Sequence, residues 1–269
     1  MTKKKDNQKK ISLKPNKLLG QNFLIDKNII KKIINAAQIE PEDIILEIGP
    51  GKGKLTRQLI KKAKKVIAVE KDPRLTNFLK QEFQNEKKLK IIEADILKFL
   101  KSWAEKKYKV VANIPYYLTS CLIRLLLESS NPPKKIILLI QKEVAQRICA
   151  KPPSMSLLAV SVQFYAQTEI IAYVKRQAFW PQPKVDSAII KITPLAKKYS
   201  ENFISNFFSL VKAGFSQPRK QLKNNLYQKL KINREKILAS LAQIGINPEQ
   251  RAETLSLEKW LILTDKLFQ

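Results

Sequence analysis

The sequence has no histidine, only two cysteines and only six glycines in 269 residues. Without imidazole, Ser-His-Asp triads, Cys-His dyads and most zinc sites are excluded, so the chemistry must need neither, and no metal is expected. Cys121 and Cys149 stand in no C-x-x-C or other ligand spacing. Two unpaired cysteines suit a reducing compartment, and a cytoplasmic location is expected. No apolar run approaches membrane-spanning length. The N-terminal MTKKKDNQKKISLKPNK is basic but lacks an apolar core, so it does not read as a secretory signal. Acids are also scarce: 23 Asp and Glu against 51 Lys and Arg leave a net charge of +28. A surplus of that size attracts polyanions, and nucleic acid is the obvious one, because phosphate neutralisation releases condensed counterions. With 44% hydrophobic and 28% charged residues the chain still has the profile of a folded protein.

Residues 1–17 read as a basic mobile arm. From Asp26 to Gln38 the apolar positions Ile29, Ile30, Ile33, Ile34 and Ala37 share one helical face, with Asp26 placed to cap it. Short apolar runs follow at DIILEIG, KVIAVE (65–70), LKIIEAD (89–95), KVVANI (109–114) and KIILLIQ (135–141). Segments of helical length lie between several of them, at 55–63, 74–83 and 119–128. Strand alternating with helix predicts a parallel sheet covered on both faces, an α/β Rossmann-like architecture. TEIIAYV (168–174) and SAIIKIT (187–193) lie closer together and predict a hairpin-like pair closing the sheet. Past Pro194 only helical patterns occur, at 201–213, 218–229, 234–244 and 256–267. The expected division is therefore a Rossmann-like domain over 18–197 and a small basic all-helical domain over 198–269.

Four motifs carry chemistry. LEIGPGKG (46–53) is a G-x-G-x-G turn between strand and helix. Its glycines, Gly49 and Gly51 among them, let the backbone approach a ligand. With Glu47 before it, the spacing is that used by methyltransferases for the amino-acid part of S-adenosylmethionine. Glu70 ends the next strand, where an acid can accept from both ribose hydroxyls; NAD enzymes share this feature, so it supports an adenosine cofactor without choosing one. Asp95 follows the third strand and can accept from the cofactor's adenine amine.

NIPYY (113–117) makes the choice. An adenine amine is a poor nucleophile because its lone pair is delocalised into the ring. The side-chain oxygen of Asn113, with a backbone carbonyl such as that of Ile114, can hold both N–H groups and aim the nitrogen at a methyl donor. Pro115 stiffens the turn, and Tyr116 offers a flat ring on which the target base can stack. Methyl transfer from a sulfonium also needs no imidazole.

With these residues in place, the chain resembles the ribosomal RNA adenine dimethyltransferase family from about Leu18 to Leu226. LGQNFLID (19–26) is similar to the family segment that wraps the cofactor, implying contacts from Asn22 and Leu24. FWPQPKVDSAII (179–190) resembles the family's F-x-P-x-P-x-V-D-S segment, implying that Phe179 packs on the target base opposite Tyr116. The same resemblance implies that Gly49, Glu70, Asp95 and Asn113 line the cofactor pocket. FSQPRKQLKNNL (215–226) is similar to the basic signature that opens the helical domain, implying RNA contacts from Arg219, Lys220 and Lys223. Pro218 departs from the two consecutive arginines usual there, and PSMSLLAV replaces a glycine-bearing loop.

The motifs look more like the branch that dimethylates two adjacent adenosines near the 3′ end of small-subunit ribosomal RNA than the large-subunit resistance branch. That implies S-adenosylmethionine as cofactor, the immature small ribosomal subunit as partner, and a monomer. An RNA-binding assembly factor and a DNA adenine methyltransferase are the competing readings. The intact cofactor acids weigh against the first, the basic C-terminal segment against the second.

Overall fold

The computed structural model describes residues 13–196 and 199–268. Residues 1–12 of the expected arm lie outside them. Leu13, within that arm, is buried against Phe23 and Leu75.

The strands are β1 (Phe23–Leu24), β2 (Ile44–Ile48), β3 (Lys65–Glu70), β4 (Leu89–Glu93), β5 (Tyr108–Asn113), β6 (Lys135–Gln141), β7 (Ala166–Val174), β8 (Phe179–Trp180) and β9 (Ser187–Pro194). The helices are α1 (Lys27–Ala37), α2 (Thr56–Lys62), α3 (Pro73–Glu82), α4 (Ile96–Phe99), α5 (Thr119–Glu128), α6 (Lys142–Ile148), α7 (Leu157–Tyr165), α8 (Glu201–Gly214), α9 (Leu222–Lys229), α10 (Arg234–Gln243) and α11 (Leu257–Phe268).

Seven strands form one sheet in the order β4-β3-β2-β5-β6-β9-β7. The five from β2 to β6 are parallel, while β9 runs antiparallel to both β6 and β7. The Rossmann-like reading therefore holds, and the two late strands do pair at the sheet edge.

Burial on both faces follows from the period-2 alternation of side chains. In β6, Ile137 and Leu139 pack under α1, and Ile136, Leu138 and Ile140 pack on the opposite face with α5. Uniformly apolar strands are what a doubly covered sheet requires. Asp26 does cap α1, accepting from the Asn28 and Ile29 amides at 2.7 and 3.2 Å. Within the PSMSLLAV segment, Ser156 caps α7 by accepting from the Ala159 amide. Sequence periodicity missed α7, because its residues are apolar all round and carry little helical signature.

A separate core joins α7 to the C-terminal helices α8–α11. Trp260 is fully buried there, and a Cβ on Gly214 would sit 2.3 Å from its ring. Helix α9 begins at Leu222, not at 218, since the QPRK segment forms a turn. Among the described residues, no helix is long and apolar enough to cross a membrane. Nor do any three His, Cys, Asp or Glu cluster as metal ligands.

Candidate active site

The parallel strands succeed one another outward in one direction from β2 to β4 and in the other from β5 to β6, and such a switch point, here between β2 and β5, opens a crevice beyond the carboxyl ends of the strands. A cavity of about 290 Å³ lies there.

Its floor is the GPGKG turn after β2. Gly49 donates its N–H to the Val69 carbonyl at 2.9 Å, fastening the turn to β3. Gly51 has φ +59°, and a Cβ on it would lie 3.0 Å from the Phe23 ring. Only glycine meets both demands.

Glu70, 7% exposed, organises the next wall. One carboxylate oxygen accepts from the Gly51 amide at 3.2 Å; the other accepts from the Lys71 and Asp72 amides at 2.9 and 3.0 Å. Burial raises its pKa, and these three N–H groups oppose the rise. Next to it, Asp72 caps α3 and holds Arg74, whose guanidinium does most to pull the Asp72 pKa down to about 2. The Gln21 amide also donates to Asp72 at 2.9 Å, tying the 19–24 segment over the cavity.

Asp95 caps α4 through the Leu97 amide and accepts from Lys71 Nζ at 2.8 Å. The Lys71 partner is the main reason its pKa lies below the usual carboxylate value. Asp95 is therefore already engaged, and a ligand amine would share this carboxylate with a lysine.

On the far wall Asn113 ends β5. Its Nδ2 donates to the Asn22 carbonyl at 3.0 Å, so its Oδ1 is left as an acceptor at the cavity. The Asn22 side chain itself donates to the Gly20 carbonyl at 3.3 Å. Leu24 lines the cavity as well. Pro115 and Tyr116 follow, with the Tyr116 hydroxyl 2.8 Å from Ser187 Oγ. That bond fixes the phenol ring from behind. Ser187 was not singled out by sequence reasoning; it stands in the quoted VDS segment, but nothing in a linear chain reveals that it meets a tyrosine 71 positions away.

Phe179 is the exception. Nine of the ten cofactor and catalytic candidates line the cavity: Asn22, Leu24, Gly49, Gly51, Glu70, Asp95, Asn113, Pro115 and Tyr116. Phe179 does not, being 2% exposed in the core beneath α1. A two-residue strand puts alternate side chains on opposite faces, so Phe179 turns inward and Trp180, 49% exposed, turns outward. The expected stacking of Phe179 on a base would require its ring to turn out of that core. Arg219 and Lys220 are exposed in the turn before α9, and Lys223 pairs with Glu249 at 3.2 Å.

Glu47 also faces the cavity region and is fully buried. Burial pushes its pKa up to about 8; the neighbouring Thr56 opposes this, and Glu70 adds to it. Thr56 gives only partial relief, since neither Glu47 oxygen nor the Thr56 hydroxyl has a hydrogen-bond partner of proper geometry. At neutral pH the folded protein holds this group as the neutral acid. Below pH 4.5 the folded and unfolded chains both keep the proton. Between 4.5 and 8 only the unfolded chain has released it, so stability falls as pH rises, and above 8 the contribution is gone. At about 1.4 kcal/mol per pH unit the swing amounts to a few kcal/mol. Thermal melts from pH 5 to 8.5 should show the wild-type midpoint losing ground against Glu47→Gln. Parallel curves for the two proteins would mean that Glu47 is ionised when folded.

The glycine turn, a buried acid at the end of the second parallel strand and an Asn-x-Pro-Tyr corner fit S-adenosylmethionine: close backbone for its amino-acid part, a carboxylate for its ribose, an acid for its adenine. The fold and this site define an S-adenosylmethionine-dependent methyltransferase. Residues 12–268 match the family described as ribosomal RNA adenine dimethylase, and the chain belongs to it. The chain is 42% identical over 267 residues to a ribosomal RNA small subunit methyltransferase A of Dehalococcoides mccartyi (strain CBDB1), covering 97% of this chain and 91% of the relative. It is 39% identical over 274 residues to the protein of that name from Halothermothrix orenii, covering 97% and 90%. Among solved structures, a dimethyladenosine transferase from Plasmodium falciparum superposes with a TM-score of 0.77 at 29% identity, covering 90% of this chain and 95% of the other. The 23S rRNA methyltransferase ErmE gives 0.78 at 29% identity, covering 92% and 100%.

Proposed function

We propose that this chain transfers methyl groups from S-adenosylmethionine to N6 of two adjacent adenosines in a hairpin near the 3′ end of small-subunit (16S) ribosomal RNA. The product is N6,N6-dimethyladenosine, made in the cytoplasm during ribosome biogenesis. The observation that carries this reading is the state of Asn113, whose amide nitrogen is spent on the Asn22 carbonyl while its oxygen remains as an acceptor at the cavity. An acceptor at that point, with a backbone carbonyl of the same turn as a second, suits a nucleophile with two N–H groups to hold, such as adenine N6; a hydroxyl offers one such donor and a carbon nucleophile none.

Bound S-adenosylmethionine supplies an electrophilic methyl group on a sulfonium. Gly49 and Gly51 would lie along its amino-acid part, Glu70 would accept from its ribose, Asp95 from its adenine, and Asn22 and Leu24 would cover it. Asn113 and a carbonyl of the same turn orient the target amine. Pro115 sets the turn, and Tyr116, braced by Ser187, gives the base a fixed surface to stack on. Phe179 would join the stack only by turning out of the core. The immature small subunit is the proposed partner, met by a monomer of this chain.

We place the division near residue 197, with 198–269 as an RNA-binding unit that also packs on α7. Arg219 and Lys220 are its proposed phosphate contacts, and Lys223 would have to release Glu249 to join them. Replacing Arg219 and Lys220 with Ala should weaken subunit binding severalfold and lower the salt slope by about 1 to 2, with cofactor affinity unchanged. Loss of cofactor binding in that variant would mean the basic turn communicates with the cavity.

The decisive test incubates the protein with labelled S-adenosylmethionine and small subunits lacking adenine dimethylation, then identifies the labelled nucleoside and its position. Dimethyladenosine near the 3′ end is the expected product. Label confined to large-subunit RNA would move the protein to the other branch. Tight subunit binding with no label would favour an assembly factor.

A further inference from the structure

A second depression lies beside the active site at the same edge of the sheet. It is a groove of about 660 Å³, and four of its walls are cationic: Lys142, Lys175, Arg176 and Lys184. Its two acids are Glu143 and Asp186. Asp186 is occupied internally, because it ties the three segments that form the groove. Its carboxylate accepts from the Arg176 amide at 3.0 Å and meets Lys175 Nζ at 3.5 Å. Its carbonyl accepts from the Lys142 amide at 3.0 Å. Glu143 sits in the first turn of α6, where the helix terminus already favours a negative charge.

The remaining cations are left available. Lys142 Nζ rests 5.2 Å from the centre of the Tyr173 ring, and neither Arg176 nor Lys184 forms an ion pair among the described residues. Holding these like charges together lowers the protein's own stability, and an anion would relieve it.

The groove is wired to the catalytic corner. Gln141, Ser187 and Val174 stand abreast at the ends of β6, β9 and β7. Ser187 braces Tyr116, and Asp186 directly precedes it. β6 lies next to β5, which carries Asn113. Asn113 pairs with Leu139 of β6, and Gln141 at the groove's edge lies two residues further along that strand, so one strand spacing of ~4.8 Å and two rises of ~3.3 Å separate them, the reach of a neighbouring nucleotide. Exposed apolar surface borders the path, with Val185 45% and Tyr173 54% exposed.

We propose that this groove holds a phosphodiester of the RNA strand flanking the adenosine in the cavity, so that strand register is set by the catalytic domain itself. The inference rests on the adenosine reading given above. A planar guanidinium and flexible ammonium groups match phosphate oxygens, and such contacts position a nucleic acid without reading its sequence.

The test compares Arg176→Glu/Lys184→Glu with a control of equal charge change, Lys61→Glu/Lys62→Glu. The control residues are exposed at the far end of α2, towards the opposite edge of the sheet. Unmethylated small subunits and labelled S-adenosylmethionine are the probes. For the groove variant KM for subunits should rise about tenfold, and the salt slope of binding should fall by about 1.5 to 2. Its rate at saturating subunits and its cofactor affinity should stay near wild type, and the control should change little. Equal effects in both variants would replace the groove with a diffuse field. An unchanged KM and slope in the groove variant would overturn the proposal. If the wild type binds subunits but labels no adenosine, the catalytic reading fails, and the groove is judged by binding alone.

Discussion

Asn113→Ala should lower methyl transfer by about 10²–10³-fold while the variant still holds RNA, the range seen when one preorganised polar contact to a developing charge is removed. In the wild type, the side chain is held by one bond, from Nδ2 to the Asn22 carbonyl at 3.0 Å, leaving the oxygen fixed for the amine. Alanine removes the acceptor and the fixing bond together. Two losses must therefore be separated, since the 19–24 segment also covers the cofactor cavity. Asn113→Asp keeps an acceptor oxygen but sets a carboxylate against the Asn22 carbonyl. Single-turnover rates at saturating cofactor and subunits isolate the aiming role, and calorimetry isolates cofactor affinity. A drop in cofactor affinity that accounts for the whole effect would make Asn113 a clasp for the covering segment. Near-normal turnover by Asn113→Ala would remove it from the chemistry altogether.

Glu70→Ala should abolish useful cofactor binding, with a loss of ~100-fold or more. The carboxylate accepts from three backbone amides, those of Gly51, Lys71 and Asp72, and hydrogen bonds to a charged group are worth about 1.5–3 kcal/mol each. Truncation would orphan these N–H groups in a buried place and leave the Gly49–Val69 bond to hold the glycine turn to β3. Because the bonds to Glu70 are present with or without cofactor, they act on affinity by keeping the turn in its binding shape: a fall to ~1% competent turn would cost ~100-fold, before any lost contact to the ribose is counted. Glu70→Gln retains one carbonyl oxygen and should fall between. Calorimetric titration with S-adenosylmethionine gives the affinity, and amide exchange at Gly51 reports the loosened turn. Affinity within a few-fold of wild type would show that the turn holds its shape without Glu70.

Much of the site was legible because its residues are local to strand ends. Gly49, Glu70, Asp95 and Asn113 each follow a short apolar run, and in a parallel sheet the ends of such runs gather at one edge. What could not be read was which way each side chain turns and whom it meets. Phe179 and Trp180 are adjacent aromatics in one motif. The pairing of β8 with β1 sends the first into the core and the second to the surface. Asp95 reads as a free acceptor in a linear sequence, yet Lys71 approaches it across the sheet edge at 2.8 Å. Helix α7 left no periodic trace, because it is packed between the sheet and the C-terminal helices.

The sequence by itself determined the alternation of strand and helix, the glycine turn, the order of the acids and the excess of positive charge. These rest on hydrophobic period, backbone freedom and composition, which are properties of neighbouring residues. Tertiary structure alone decided that Ser187 braces Tyr116 and that Glu70 holds Gly51. It also decided that Glu47 keeps its proton, and that Lys142, Arg176 and Lys184 share a groove. Those relations join residues far apart in the chain, and their energies depend on burial and distance that exist only once the sheet has closed.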